Sequence, residues 1–170
     1  MAYDCLSNHI MKKLRMQSLS QTDVTATELD PFDPRLDAWR AFLRAHAHVT
    51  RQLERELLEE HQMSLAEYDV LVQLAGAPDR QLRMSELADR LLLSRSGATR
   101  LVDRLEAAGH VARVTCESDR RGQWATLTGA GLERLRRAWP THQRGIQAHF
   151  LAPIPARERD ALQRALDRLV

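Results

Sequence analysis

Met84–Thr128 reads MSELADRLLLSRSGATRLVDRLEAAGHVARVTCESDRRGQWATLT. Its first run, Ser85 to Leu92, turns Leu87, Ala88 and Leu91 to one side, and the small Ala88 lets a second helix cross closely. A tight turn follows, and Ser94 is placed to cap the next helix. In that helix Ala98, Leu101, Val102, Leu105 and Ala108 share one face, and Gly109 supplies a left-handed stop. Val111 to Glu117 and Gln123 to Thr128 then read as two strands around a charged tip, Ser118-Asp119-Arg120-Arg121-Gly122. Helix, turn, helix and hairpin in that order predict a winged helix-turn-helix.

The polar face of the second helix carries Ser96, Thr99, Arg100 and Asp103, flanked by Arg95 and Arg104. It bears donors and small residues and no large apolar group, so it can approach base edges in a major groove. Arg95 or Arg100 suits the bidentate contact to guanine, while Ser96 and Thr99 can reach bases or phosphates. Ser94 sits at a helix N-terminus, which favours phosphate. At the hairpin tip Arg120 and Arg121, beside Gly122, suit a narrow minor groove, and Asp119 can aim a guanidinium by pairing with it. A solvated face or a charged turn would explain either part alone. Their joint occurrence at this spacing points to double-stranded DNA. Leu92 stands where such turns often use glycine, so either the turn avoids the left-handed conformation or it tolerates roughly 1–2 kcal/mol of strain.

Outward from this unit the chain reads as helices. Residues 1–32 form a polar tail ending in Asp30-Pro31 and Asp33-Pro34. From Pro34, with Asp33 as N-cap, Trp39, Phe42, Leu43, His46, Val49, Leu53 and Leu57 recur as one buried stripe. Ser64 and Glu67 make a capping box for a helix buried through Leu65, Tyr68, Leu71, Val72 and Ala75, ended by Gly76 and Pro78. Gln81 to Met84 reads as a short strand. After the hairpin Thr128 caps a helix reaching about Phe150, interrupted near Pro140, and a last helix from Ala156 to Val170 buries Leu162, Leu166 and Leu169. The expected fold is mainly α with a small β-wing. A DNA-binding lobe at about 64–128 lies between dimerisation helices at about 34–62 and 129–170, all within one domain, 33–170.

Composition narrows the class. The chain has 170 residues, 44% of them hydrophobic and 28% charged, as a soluble globular protein has. Its net charge of +2 says little, because the position of the arginines matters more. No apolar run approaches the ~20 residues of a membrane span, and no apolar core follows Lys12 and Lys13 as in a secretory signal. Two cysteines, Cys5 and Cys116, make no disulfide framework, so a cytoplasmic setting is expected. A glycine-rich phosphate loop, a nucleophile elbow and an acid/base cluster are all missing, which argues against an enzyme and against a cofactor. His46 and His48 diverge on a helix, and His142 and His149 are two turns apart, so no metal site is expected.

Glu86-Leu87-Ala88, Ser94-Arg95-Ser96, the run Thr99 to Glu106, Gly109, Asp119-x-Arg121-Gly122 and Leu127-Thr128 together resemble the MarR family of bacterial transcriptional regulators. The resemblance covers about Pro34 to Val170. It implies a homodimer with intertwined terminal helices, Arg121 in the minor groove supported by Asp119, and repression relieved by a small, frequently aromatic ligand. Trp39, Phe42, His46, Tyr68 and Asp69 are the residues that could line such a pocket, although the same stripe would serve as plain core. In urate-sensing relatives a charged set is completed by a tryptophan in an added N-terminal helix; Asp69, Arg100 and Arg113 could match the set, but the tail provides no tryptophan. Alternatives of the same fold are a regulator that senses redox through cysteine, a metal sensor, and a dimerisation module that binds no DNA.

Overall fold

A computed structural model describes residues 30–115 and 123–169, and the chain divides into two compact units, Met1–Arg40 and Ala41–Val170. In the first, the Asp33 carboxylate accepts from Arg35 N at 2.8 Å and pairs with the Arg35 guanidinium. It caps a 3-10 turn, Pro34–Leu36, so the expected cap and Pro are in place but the α-helix proper starts three residues later.

The helices are α1 (Asp37–His61), α2 (Leu65–Ala75), α3 (Met84–Arg90), α4 (Arg95–Ala107), α5 (Gly129–Ile146) and α6 (Ala156–Leu166). The strands β1 (Gln81–Arg83), β2 (Val111–Thr115) and β3 (Gln123–Leu127) form an antiparallel sheet in the order β1-β3-β2. The chain is thus mainly α with a small sheet, as expected. The core gathers Leu57, Tyr68, Val70, Leu71 and Leu74 with Leu87, Val102 and Val111.

Local chemistry sets the helix ends. Ser64 Oγ accepts from Glu67 N at 3.2 Å while Glu67 Oε2 accepts from Ser64 N at 3.1 Å, the anticipated capping box. Glu54 of α1 adds a third acceptor, taking the Leu65 N–H at 2.5 Å, so α1 itself helps to start α2. The buried face of α2 is wider than its periodicity suggested: Val70 and Leu74 are fully buried, whereas Val72 is exposed. An almost uniformly apolar helix gives a weak stripe, and packing decides which side is covered.

The turn between α3 and α4 takes the left-handed conformation. Leu92 has φ +54°, with Leu93 N donating to Ala88 O at 2.9 Å and Leu92 N to Asp89 O at 3.1 Å. The same pair of bonds ends α4, where His110 N donates to Leu105 O and Gly109, at φ +75°, holds the left-handed position. Leucine therefore does in one turn what glycine does in the next. Leu92 is 93% exposed and leaves no cavity if removed. Leu92→Gly should stabilise the protein by about 0.5–1 kcal/mol, the relief of strain less the greater unfolded-state freedom of glycine. Leu92→Ala should not. Urea midpoints of the two variants check this, and equal midpoints would mean the turn carries no strain.

Two expectations about the terminal helices change. α5 runs on through Pro140, which is exposed, so the carbonyl that loses its partner can turn to water. The irregularity comes later, as a π-helical turn, Gln147–Leu151, closed by Ala152 N donating to Gln147 O at 2.8 Å. The second change concerns burial. On α1 only Leu53 and Leu57 are buried, and on α6 no residue is, with Leu162 and Leu166 half-buried and Leu169 exposed. An apolar stripe read from sequence need not be covered by its own chain.

α5 and the π turn are fastened to α1 by polar groups. Thr141, buried, donates to Glu60 Oε2 at 2.7 Å and accepts from His61 Nε2 at 2.8 Å; Arg144 pairs with Glu60 at 2.7 Å and His149 with Glu56 at 2.6 Å. Deeper in, the ring of Tyr68 on α2 stacks on His142 of α5 with centroids 4.3 Å apart. Tyr68 Oη and His142 Nδ1 have no partner among the described residues. Burial pushes the Tyr68 phenol up to about 12 and holds the His142 imidazole below its ordinary value. Near pH 6 the unfolded chain therefore binds more protons than the native one. Stability is fully present above the ordinary histidine pKa of about 6.5 and is lost as pH falls below it. Thermal melts between pH 7.5 and 5.5 should show this decline, flattened in His142→Phe, which keeps the stack and cannot titrate. An equally steep decline in that variant would remove His142 as a cause.

Candidate nucleic-acid interface

The exposed side of α4 is built from its N-terminus. Ser94 Oγ accepts from Gly97 N at 3.1 Å and lies 3.2 Å from Ser96 Oγ. Ser94, Arg95, Ser96, Thr99 and Arg100 are all exposed, while Ala98, Leu101, Val102 and Leu105 are buried on the other side. Arg95 and Arg100 make no side-chain hydrogen bond or ion pair among the described residues. Thr99 Oγ1 donates to Arg95 O at 2.8 Å, so it can offer a partner its lone pairs and methyl group, not its proton.

Arg104 is engaged otherwise. Its Nε donates to Glu67 Oε1 at 3.0 Å, joining α4 to the capping box of α2. Burial raises the Glu67 carboxyl, but the bonds from Arg104 and the Ser64 backbone outweigh it and hold the group below its ordinary value. Of the three expected arginine contacts on α4, only Arg104 is held in an ion pair among the described residues. Asp119, Arg120, Arg121 and Gly122 lie outside the described residues, as do Cys5 and Cys116; among the described residues the pair of β2 and β3 nearest to them is Thr115 with Gln123.

Two arginines stand in positions that the sequence did not announce: Arg83 was not singled out, and Arg113 entered only as part of a charged ligand set. Arg83 pairs in register with Trp124, at the end of β1 nearer the wing, and its guanidinium sits 5.1 Å from the centre of the Trp124 ring. Arg113, on β2, lies against α4 between Asp103 and Glu106. The signal for Arg113 was period two: it shares a strand face with the buried Val111, and an inward cation needs acceptors.

The residues suggested for a ligand pocket fall in different surroundings. Trp39, in the first compact unit, is 55% exposed. Phe42 and His46 are exposed ring neighbours on α1, with centroids 6.2 Å apart. Tyr68 is buried against His142, and Asp69 is half-buried, its carboxyl raised by burial and by the nearby charge of Glu54. None of the five lines the shallow apolar groove on α5 and the π turn, which is formed by Trp139, Gln143, Ile146, Gln147 and Leu151. Among the described residues no cluster of three metal-ligating side chains occurs, and no helix is long and apolar enough to cross a membrane.

Residues 61–122 match the MarR family model. An uncharacterized HTH-type transcriptional regulator, YkoM of Bacillus subtilis, is 31% identical over 127 residues, 75% of this chain and 80% of its own. The HTH-type transcriptional regulator PecS of Dickeya dadantii is 29% identical over 123 residues, 71% of this chain and 72% of its own. A MarR family regulator from Streptomyces coelicolor, solved in complex with DNA, superposes with a TM-score of 0.76 at 32% identity, over 84% of this chain and 91% of that one. AbsC, of the same family and organism, gives a TM-score of 0.74 at 33% identity, over 85% and 95%.

Proposed function

Since the chain belongs to the MarR family of DNA-binding transcriptional regulators, and not to an enzyme family, we propose that it is a ligand-responsive repressor that grips a pseudopalindromic operator as a homodimer. The observation that carries the reading is the exposed side of α4, where Arg95 and Arg100, without an ion pair among the described residues, stand beside Ser94, Ser96 and Thr99. Those residues read the major groove, and Arg120 and Arg121, with Asp119 and Gly122, enter the minor groove alongside. Arg104 contributes by fixing α4 to α2.

One recognition helix spans only a few base pairs, so specificity calls for two, about one helical turn (~34 Å) apart. The second copy would cover the apolar side chains that one chain leaves exposed on its terminal helices, among them Phe42, Leu43, Trp139 and Phe150, together with the unburied stripe of α6. In this arrangement about 64–128 form the DNA lobe. An effector, an aromatic or anionic small molecule, would lodge near Phe42, His46, Tyr68 and Asp69 and favour one spacing of the two lobes. A hundredfold loss of operator affinity needs only about 2.7 kcal/mol of differential binding.

Sedimentation and selection from random DNA test the core of this reading. The expected result is a dimer at micromolar concentration that selects a two-fold sequence. A stable monomer that binds single half-sites would overturn it. A screen of aromatic acids and phenols against the selected operator, repeated with His46→Ala, tests the effector: a compound that releases DNA equally well from both proteins places the pocket elsewhere.

A further inference from the structure

One guanidinium holds the recognition helix to the wing. Arg113 Nη2 lies 2.5 Å from Asp103 Oδ1 and 3.3 Å from the Thr99 carbonyl oxygen, and Nη1 lies 3.1 Å from Glu106 Oε2. Its backbone N–H also donates to Glu106 Oε1 at 3.2 Å. Thr99, Asp103 and Glu106 follow one another at steps of four and three residues, so they form a single line along α4. β2 runs beside that line. The Arg113 side chain is only 25% exposed, whereas Asp103 is 51% exposed and stands among the residues offered to DNA.

An exposed carboxylate there is a liability, since the facing surface is a polyanion carrying a charge about every 1.7 Å. Apart from Arg104, which is paired with Glu67, α4 carries two cations, Arg95 and Arg100, and two carboxylates, Asp103 and Glu106. Without Arg113 these would cancel. We propose that Arg113 is a positioning residue for DNA binding: it clamps the wing strand to α4 and masks Asp103 and Glu106, leaving the helix net positive toward DNA. The proposal rests on the DNA-binding reading above.

The test is operator affinity across a salt series for the full chain and its variants. Arg113→Met keeps length and packing while removing the charge. It should weaken binding at least tenfold at low salt, and the gap should narrow as salt screens the exposed carboxylates. Arg113→Lys, which keeps the charge but not the fork, should fall between wild type and Arg113→Met, and it carries the test if the methionine variant does not fold. The deciding variant is Asp103→Asn. Alone it should bind as well as wild type or better, and combined with Arg113→Met it should recover most of the loss. A purely structural arginine, or one that touches phosphate itself, would not be rescued in this way, and failure of rescue overturns the proposal. So does an Arg113→Met protein of unchanged affinity. Wild-type protein that binds no DNA in the same titration would instead sink the DNA-binding reading.

Discussion

Alanine at position 131 should cost the fold about 3 kcal/mol, at the upper end of what overpacking does, and lower the melting temperature by roughly 6–12 °C. A Cβ on Gly131 would lie 2.0 Å from the His110 carbonyl oxygen and 2.8 Å from Leu127 Cδ1. The first of these is backbone and cannot rotate away. His110 O already accepts from Thr128 N at 3.1 Å and from Thr128 Oγ1 at 3.0 Å. Relief would mean lifting the start of α5 off the corner between α4 and β2, at the expense of the cap from Thr128 to Gly131 N. Gly129, two residues earlier in the same turn, has nothing within 4 Å of its would-be Cβ. Gly129→Ala should therefore be neutral or stabilising by up to about 1 kcal/mol. Calorimetry on the pair decides the point; similar melting temperatures would refute the close approach.

The largest effect on DNA should come from Arg100→Ala. A lost bidentate contact relaxes the preference for one base by about 1–3 kcal/mol, so the selected operator should lose information at one position of each half-site. Arg121→Ala should act differently, weakening all sequences together and lowering the salt slope by about one charge, because a minor-groove arginine contributes charge and reads shape. Arg104→Ala should lower stability more than selectivity, given its partner Glu67. An Arg100→Ala protein with an unchanged selected sequence would move the reading contact to Arg95 or off the helix.

What the sequence disclosed was mostly local. The caps at Ser64, Ser94 and Thr128 and the stop at Gly109 each depend on a few neighbouring residues, and all are in place. Leu92 was open between two conformations, since its intrinsic cost favours one and the motif the other; the motif won. Contacts between distant segments were harder to see. Nothing in the spacing of Gly131 or Gly145 announces that His110 or Leu53 will press on them, and Arg113 finds acceptors on an element that precedes it by several residues. Periodicity marked the apolar sides of α1 and α6 but not what would cover them. For the interface, the residues of α4 came out on one exposed side as read, while Asp119 to Gly122 lie beyond the described residues.

The π-helical turn at Gln147–Leu151 closes the long helix before the proline-containing turn at 152–155. Five residues there do the work that a regular helix does with about four, so one residue is surplus to the α repeat. Deleting Ala148 would turn it into an ordinary α turn. A deletion in the regular helix upstream would instead swing the helical residues after it by about 100° around the axis and carry His149 away from Glu56, now 2.6 Å from it. In its indel history this chain should therefore lose a residue more readily at this turn than in the rest of the long helix. Single-residue deletions scanned across 132–151 should cost the least stability within Gln147–Leu151.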